Sequence, residues 1–290
     1  MLRSFSGQTE DPARGVDVLD AREMGNMIRL WEDKEANIIE SFRQHIQGED
    51  RPVCLLPDAE DPRKVMASIM DDAIWKNEWV DSSSKDAPPP DFYSESQKLM
   101  MEVMRIDDHA FELDGKIQNP TNKRARMRAK ELIDDLQLNL RPDAKLVINS
   151  PTDLPSSEDH NYRYYKSNFK RVIEKHIEKI PIYKSKHPDC KQIFFVFDES
   201  SMYCQTDTPN QTVSEGEQIE GTLHHWYYDK AFTKVFMNSG IDYLIWFTPY
   251  KWIKMSIPPV ILPLACVFDS KQEDMKLIDY PEDYMTSTEE

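Results

Sequence analysis

The segment Lys191–Ser201, KQIFFVFDESS, carries the strongest structural signal in the chain. Its five consecutive apolar residues, Ile193 to Phe197, lack the alternation of a half-exposed strand, and they are followed directly by Asp198 and Glu199. This pattern predicts a strand buried on both faces that brings two carboxylates to its carboxyl end. Because ligands of open α/β sheets bind beyond such ends, Asp198 and Glu199 are the first candidates for catalysis and for Mg²⁺ binding.

The acidic strand end resembles a motif of the P-loop ATPases. In that family an apolar strand ends in an Asp that holds Mg²⁺ and a Glu that positions water. The family also needs a glycine-rich loop that ends in Gly-Lys followed by Ser or Thr. The only Gly-Lys pair in this chain, Gly115-Lys116, is followed by Ile117, so ATP hydrolysis of this type is not expected.

The same strand end also resembles the restriction-endonuclease-like nucleases, which cleave phosphodiesters with metal assistance. These nucleases carry an acidic residue and then Asp/Glu-x-Lys on a neighbouring strand. Here Ser200 and Ser201 follow the acidic pair, so the Lys is missing, and Asp143-Ala144-Lys145 precedes the pair instead of following it. Neither family is recognised from these short motifs.

Composition sets the outer limits. The chain has 290 residues with 39% hydrophobic and 10% aromatic content, which suffices for a large core and excludes wholesale disorder. No apolar run approaches the roughly 18 residues of a membrane span, and the N-terminus lacks the apolar region of a secretory signal. Four scattered cysteines, Cys54, Cys190, Cys204 and Cys266, indicate reduced thiols. We therefore predict a soluble cytoplasmic protein without a membrane partner.

Charge is unevenly distributed along the chain. The formal net charge is -16, yet residues 116–191 hold 17 basic and 10 acidic residues. This basic third can face nucleic acid or phosphate, or it can pair with the acidic flanks. Internal pairing is favoured because surface charge patterning more often serves solvation and steering than a specific site. In the segment Lys123–Lys130 no aromatic residue is interleaved for base stacking. The candidate phosphate-binding residues are Lys123, Arg124, Arg126, Arg128, Lys130, Lys170 and Arg171.

Periodicity predicts helices in the first half of the chain. Residues 20–46 and 61–74 follow the helical period, with a short strand, Val53–Leu56, between them. Ser94 and Gln97 form a capping-box pattern that predicts a helix from residue 94 to 111. Asp107, Asp108 and His109 lie near its end, where neighbouring side chains of a helix diverge by about 100°, so a metal site there is not favoured.

The predicted α/β core begins with the strand Lys145–Asn149, continues through a helix over residues 157–180, and returns in the KQIFFVFD strand. These elements form a βαβ unit with parallel strands. Two further apolar strands, at 241–247 and 260–268, extend the same sheet. The fold class is therefore α/β, with α+β as the alternative, in which a helical N-terminal region precedes a mostly parallel sheet with flanking helices.

These elements divide the chain into five predicted segments. They are a helical N-terminal region (1–80), a Pro-rich linker (81–92), a helical segment with a basic face (93–140), the α/β core (141–270) and an acidic tail (271–290). The triple proline in VDSSSKDAPPPDF is the basis of the linker.

Two histidines extend the list of candidate site residues. A helix predicted to begin at His224 brings His224 and Asp229 toward Asp198 and Glu199, so both are catalytic candidates. His187 and Cys190 have the two-residue gap that zinc sites use. Cys204 with His224 or His225 would be needed to complete four ligands, and the intervening buried strand argues against that set.

The sequence contains no complete catalytic signature. We therefore predict an interaction or regulatory protein that binds a protein partner and holds no certain cofactor. The alternative is a Mg²⁺-dependent nuclease or phosphoesterase that uses Asp198 and Glu199 and binds nucleic acid through residues 116–191.

Overall fold

A computed structural model describes residues 16–20, 34–48, 50–83, 90–120, 123–124, 127, 131, 145–149, 160–211, 221–251, 262–272 and 275–288. The chain divides into two compact units, and each is described by itself. The first comprises residues 1–31 and 123–152, and the second comprises residues 32–122 and 153–290. The five segments predicted from the sequence stay a prediction.

The first unit contains a two-stranded antiparallel sheet. Strand β1, Val16–Asp20, pairs with β8, Lys145–Asn149, so that Val16 lies opposite Asn149. The predicted place of Lys145–Asn149 as the first strand of the main sheet is wrong. The sequence of a five-residue strand does not specify which strand it pairs with. Here the partner is VDVLD, which lies more than 120 residues earlier in the chain.

The second unit contains six α-helices, two short 3-10 helices (Trp226–Tyr228 and Glu282–Tyr284) and a set of strands among its described residues. The helices are α1 Glu35–Gly48, α2 Glu60–Met70, α3 Asp72–Glu78, α4 Tyr162–Ile177, α5 Ile180–Lys186 and α6 Lys230–Phe236. The strands are β2 Val53–Leu56, β3 Val80–Asp81, β4 Phe92–Ser94, β5 Leu99–Ile106, β6 Phe111–Leu113, β7 Lys116–Gln118, β9 Lys191–Asp198, β10 Tyr203–Thr206, β11 Gly221–Leu223, β12 Tyr243–Phe247, β13 Ala265–Asp269 and β14 Met285–Ser287.

A seven-stranded sheet in the order β2-β13-β12-β9-β5-β4-β3 forms the centre of this unit. Strands β5, β9 and β12 run parallel to one another, whereas β12 pairs antiparallel with β13 and β5 pairs antiparallel with β4. The sheet is therefore mixed and the unit has α+β character, so the expectation of a mostly parallel sheet is met only in part.

Helices cover both faces of the sheet, and aromatic side chains fill the two interfaces. On one face Phe42 of α1 packs against Phe195 and Phe247, with ring centroids 5.0 and 5.2 Å apart. On the other face the Phe169 ring of α4 stacks on Trp246 at 4.6 Å. The side chains of Ile193 to Phe197 in β9 are buried on both faces, as the unbroken apolar run predicted.

The helix predicted from Ser94 to residue 111 is wrong. Ser94 ends β4, the Ser94 hydroxyl accepts a hydrogen bond from the Gln97 backbone N–H at 3.3 Å, and Lys98 adopts a φ of 54°. The capping-box pattern therefore forms the turn of a hairpin that leads into β5. Met and Leu favour helices in isolation, but burial between β9 and β4 overrides that preference because β5 lies inside the sheet.

The remaining segments complete the second unit. Asn161 caps α4, which lies within the helix predicted over 157–180, and α5 follows with Pro181 in its first turn. The Pro-rich segment joins β3 to β4 of one sheet. Part of the acidic tail forms β14, which pairs with β10 in a small sheet of order β11-β10-β14. None of the helices in the described ranges combines the length and apolar character needed to cross a bilayer.

Candidate functional site

The parallel strands β5, β9 and β12 end at the same edge of the sheet, which is where the sequence placed the site. Polar residues follow each strand there. The segments concerned are Asp107–His109 after β5, Asp198–Ser201 at the end of β9, and Thr248–Lys251 after β12.

Asp198 is fully buried, and donors surround both of its carboxylate oxygens. Oδ2 accepts hydrogen bonds from the Tyr165 hydroxyl at 2.6 Å and from Trp246 Nε1 at 2.8 Å. Oδ1 accepts from the Ser200 backbone N–H at 2.9 Å and the Ser200 hydroxyl at 2.6 Å. Because a carboxylate offers about four acceptor positions, these four donors leave none directed at a metal ion.

Lys251 supplies the positive charge beside Asp198. Its Nζ lies 3.7 Å from Asp198 Oδ2 and donates to the Ser200 hydroxyl at 2.5 Å and the Ser201 carbonyl at 2.6 Å. A Ser-Lys pair can activate a nucleophile. Here, however, the Ser200 hydroxyl donates to Asp198, and both Ser200 and Lys251 are buried.

Glu199 projects away from this cluster, as the alternation of a strand requires. Its carboxylate pairs with Arg105 of β5 through two hydrogen bonds, from Nε at 2.9 Å and from Nη2 at 2.7 Å. Desolvation raises the pKa of Glu199, and the Arg105 guanidinium opposes that rise. The two carboxylates predicted as a joint metal site therefore have separate partners.

His224 and Asp229, the other two catalytic candidates, contact each other. His224 Nε2 donates to Asp229 Oδ2 at 2.8 Å, and the Tyr162 hydroxyl donates to the same oxygen. Asp229 Oδ1 accepts from the Ala231 backbone N–H at 2.8 Å and so caps α6. Burial lowers the pKa of His224, and Asp229 opposes that shift. Tyrosines separate this pair from Asp198, because Tyr165 stacks on Tyr203, which contacts His224.

Asp108 occupies a similar buried position, whereas the sequence favoured a solvated turn over a metal site at Asp107, Asp108 and His109. Its Oδ2 accepts from the Ser201 N–H, the Ser201 hydroxyl and the Tyr203 hydroxyl at 3.0, 2.6 and 2.7 Å. Burial alone would raise the pKa of Asp108, but His109, His160 and Ser201 hold it well below its ordinary value. The helix predicted over residues 94–111 gave no reason to place Asp108 beside Ser201, because that position results from the end of strand β5.

Two clusters in the described part of the chain have donor sets that suit a metal ion. Asp108, His109 and His160 form one, and Glu95, His187 and Cys190 form the other. Within each cluster the donor atoms all lie within 4.8 Å of one another. Neither cluster contains Asp198 or Glu199, which were the predicted Mg²⁺ ligands.

The basic residues predicted to contact phosphate have diverse surroundings. Lys123 and Arg124 are exposed residues of the first unit. In the second unit Lys170 lies 3.9 Å from Glu174, and Arg171 donates to Asn168. Arg126, Arg128 and Lys130 lie outside the described residues. Nucleic-acid binding through residues 116–191 therefore stays a prediction.

Comparisons with protein-family models, with curated proteins and with solved structures found no significant match to this chain.

Proposed function

We propose that this chain is an interaction protein that binds a protein partner and performs no catalysis at the carboxyl edge of its sheet. The observation that supports this proposal is the saturation of Asp198, which is buried and accepts four hydrogen bonds. A metal-dependent phosphoesterase needs carboxylate oxygens that are open to both the ion and the substrate. Asp229 is also buried and is used as a helix cap.

The β6–β7 hairpin is the surface that best fits partner binding. Six large apolar side chains are exposed among the described residues, and two of them, Leu113 and Ile117, belong to this hairpin. Asp114 and Gly115 form its tight turn with φ values of 50° and 71°. Stacking of the Phe111 ring on Tyr164 at 4.8 Å anchors the hairpin to α4, so the exposed side chains are presented on an ordered element.

The charge of the chain favours a basic partner. A net charge of -16 attracts basic surfaces and repels polyanions over distances of about 10 Å at moderate ionic strength. The alternative proposal, a Mg²⁺-dependent nuclease or phosphoesterase, relies on the basic segment 116–191 and has less support from the contacts of Asp198. Residence in the cytoplasm is part of the same proposal and rests on the scattered cysteines.

Calorimetric titration with Mg²⁺ and Mn²⁺ tests the absence of catalysis. We expect the wild type and Glu199→Gln to give the same heats, and neither to cleave mixed DNA and RNA substrates. Asp198→Asn keeps the shape of the side chain and serves as the second variant. Metal-dependent cleavage that is lost in both variants would replace this proposal with the phosphoesterase alternative.

Site-specific crosslinking tests the binding surface. A photoreactive amino acid at Leu113 is compared with the same group at Lys64, an exposed position on α2. We expect a discrete crosslinked partner at residue 113 that disappears when Ile117→Asp is added. Equal crosslinking at both positions, or a product unaffected by Ile117→Asp, would exclude the hairpin as the specific surface.

A further inference from the structure

The amino edge of the parallel strands carries a cluster of a different kind. Glu95 lies in the turn between β4 and β5, and His187 and Cys190 lie between α5 and β9. Lys191 opposite Leu99 holds these two segments side by side, with a backbone hydrogen bond of 2.8 Å from the Lys191 N–H to the Lys98 carbonyl. Three donor types from two distant parts of the chain therefore meet at one point.

We propose that Glu95, His187 and Cys190 bind one Zn²⁺ ion. Glu95 Oε1 lies 2.5 Å from His187 Nδ1, and Glu95 Oε2 lies 3.8 Å from Cys190 Sγ. All three donor atoms lie within 4.8 Å of one another. Zinc bonds of about 2.0–2.3 Å place tetrahedral donor atoms roughly 3.5 Å apart, so small side-chain rotations bring these atoms into that geometry.

The choice of donors selects the metal. A thiolate and an imidazole are soft or borderline ligands that favour Zn²⁺ over Mg²⁺ or Ca²⁺, which prefer oxygen. Binding replaces the proton shared by His187 and Glu95 and releases the proton of the Cys190 thiol. The ion is then held by one nitrogen, one sulfur and one oxygen, with a fourth position for water.

The donors differ in burial: Cys190 is held rigidly in the interior, whereas Glu95 is open to solvent. Cys190 is 1% exposed and packs with Met100 and Tyr183, while the Glu95 side chain is 62% exposed. The Tyr93 ring lies 4.3 Å from the His187 ring and restricts its orientation, as a supporting group does in known metal sites. An ion therefore enters from the Glu95 side and meets two donors that are already in place.

The sequence offered two of these three ligands and argued against zinc. The spacing of His187 and Cys190 is one that zinc sites use, but the partners considered were Cys204 with His224 or His225, and the intervening buried strand argued against that set. His224 is instead bonded to Asp229, and Cys204 lies in β10, in a different sheet. Glu95 was missed because the capping-box interpretation placed it inside a helix.

Titration of the untagged full chain with zinc chloride in a calorimeter is the primary test. We expect one Zn²⁺ per chain. Loss of an outer-shell partner weakens metal affinity roughly 10–100-fold, so removal of a ligand in Cys190→Ser or His187→Asn should exceed about 100-fold. Glu95→Gln alters an exposed side chain and keeps the test valid if Cys190→Ser does not fold. Cys204→Ser and His225→Asn are the matched controls and should retain the wild-type affinity.

Cobalt substitution identifies the ligands directly. Co²⁺ bound through a thiolate gives charge-transfer absorption in the near ultraviolet, which we expect in the wild type and Cys204→Ser and not in Cys190→Ser. The proposal is overturned if the wild type binds no zinc. It is also overturned if binding survives Cys190→Ser and is lost in His109→Asn or His160→Asn, because the ion would then occupy the Asp108 cluster.

Discussion

The ionisable side chains at the two ends of β5 and β9 differ in burial and in hydrogen bonding. At the carboxyl ends Asp108 and Asp198 are fully buried, and hydroxyl, indole and backbone donors surround them. At the amino ends Glu95 is exposed, and its carboxylate lies between a histidine and a thiol. The carboxyl edge is the usual ligand site of an open sheet. A carboxylate there can bind a ligand only if it is exposed and still has oxygen lone pairs that accept no hydrogen bond.

Removal of the buried Asp198 carboxylate should cause the largest loss of unfolding free energy. Asp198→Ala removes the carboxylate beside the buried Lys251 ammonium and the acceptor of Tyr165 and Trp246. Loss of one partner of a buried ion pair costs about 3–5 kcal/mol of unfolding free energy. Urea denaturation measures this loss. A cost below about 1 kcal/mol would mean that Asp198 is solvated and available for chemistry.

The second buried carboxylate should rank next. Asp229→Ala removes the cap of α6 and leaves the Tyr162 hydroxyl and His224 without their acceptor. We expect a loss of about 2–4 kcal/mol, the sum of a cap and two buried hydrogen bonds. Asp279→Ala, whose side chain is 77% exposed, is the control and should be nearly neutral in the same urea denaturation. Equal effects of the two variants would contradict the structural role of Asp229.

A pH-dependent effect follows from Asp91. Burial, and next the charge of Glu102, raise the pKa of Asp91 from 3.8 to about 7. Between these values the folded chain binds a proton that the unfolded chain has lost, so this group makes stability fall as pH rises through that range. Asp91→Asn can still accept from the Val103 N–H and should remove this fall.

The variant should therefore be more stable than the wild type at pH 8, by on the order of 2 kcal/mol, and close to it at pH 4. Denaturation curves at several pH values check this expectation. A constant difference across the range would show that Asp91 does not titrate there.

The smallest effect is expected at the other half of the acidic pair. Glu199→Gln weakens an ion pair with Arg105 whose two side chains are 26% and 25% exposed. Desolvation of Glu199 offsets much of its attraction to Arg105, so we expect a cost of about 1 kcal/mol or less, and salt reduces it further. Denaturation at low and high salt measures it. A loss as large as that of Asp198→Ala would remove the contrast between the two adjacent carboxylates.

The elements that the sequence predicted well are those whose pattern is local. The unbroken apolar run of β9 and the period of α2 depend on neighbours in the chain. The strand β5 was missed because the methionines of LMMEVMRI favour a helix until β9 and β4 bury them on both sides.

The site predictions differ from the structure for a related reason. Asp198 was correctly placed at the end of a buried strand, but its four donors come from α4, β12 and the following turn. A single sequence does not reveal which side chains converge on a carboxylate, and hence whether it is saturated. Glu95 reaches Cys190 across 95 residues, a separation that no local pattern encodes.

The position of β5 in the sheet has a consequence for synthesis of the protein. Its hairpin partner β4 precedes it, but its other neighbour, β9, begins 85 residues after Ile106, and part of the first unit lies between them. At translation rates of about 5–20 residues per second, roughly 4–17 s pass before β9 is made. During that time one edge of an apolar strand has no partner, and the nascent chain is exposed to aggregation until KQIFFVFD emerges.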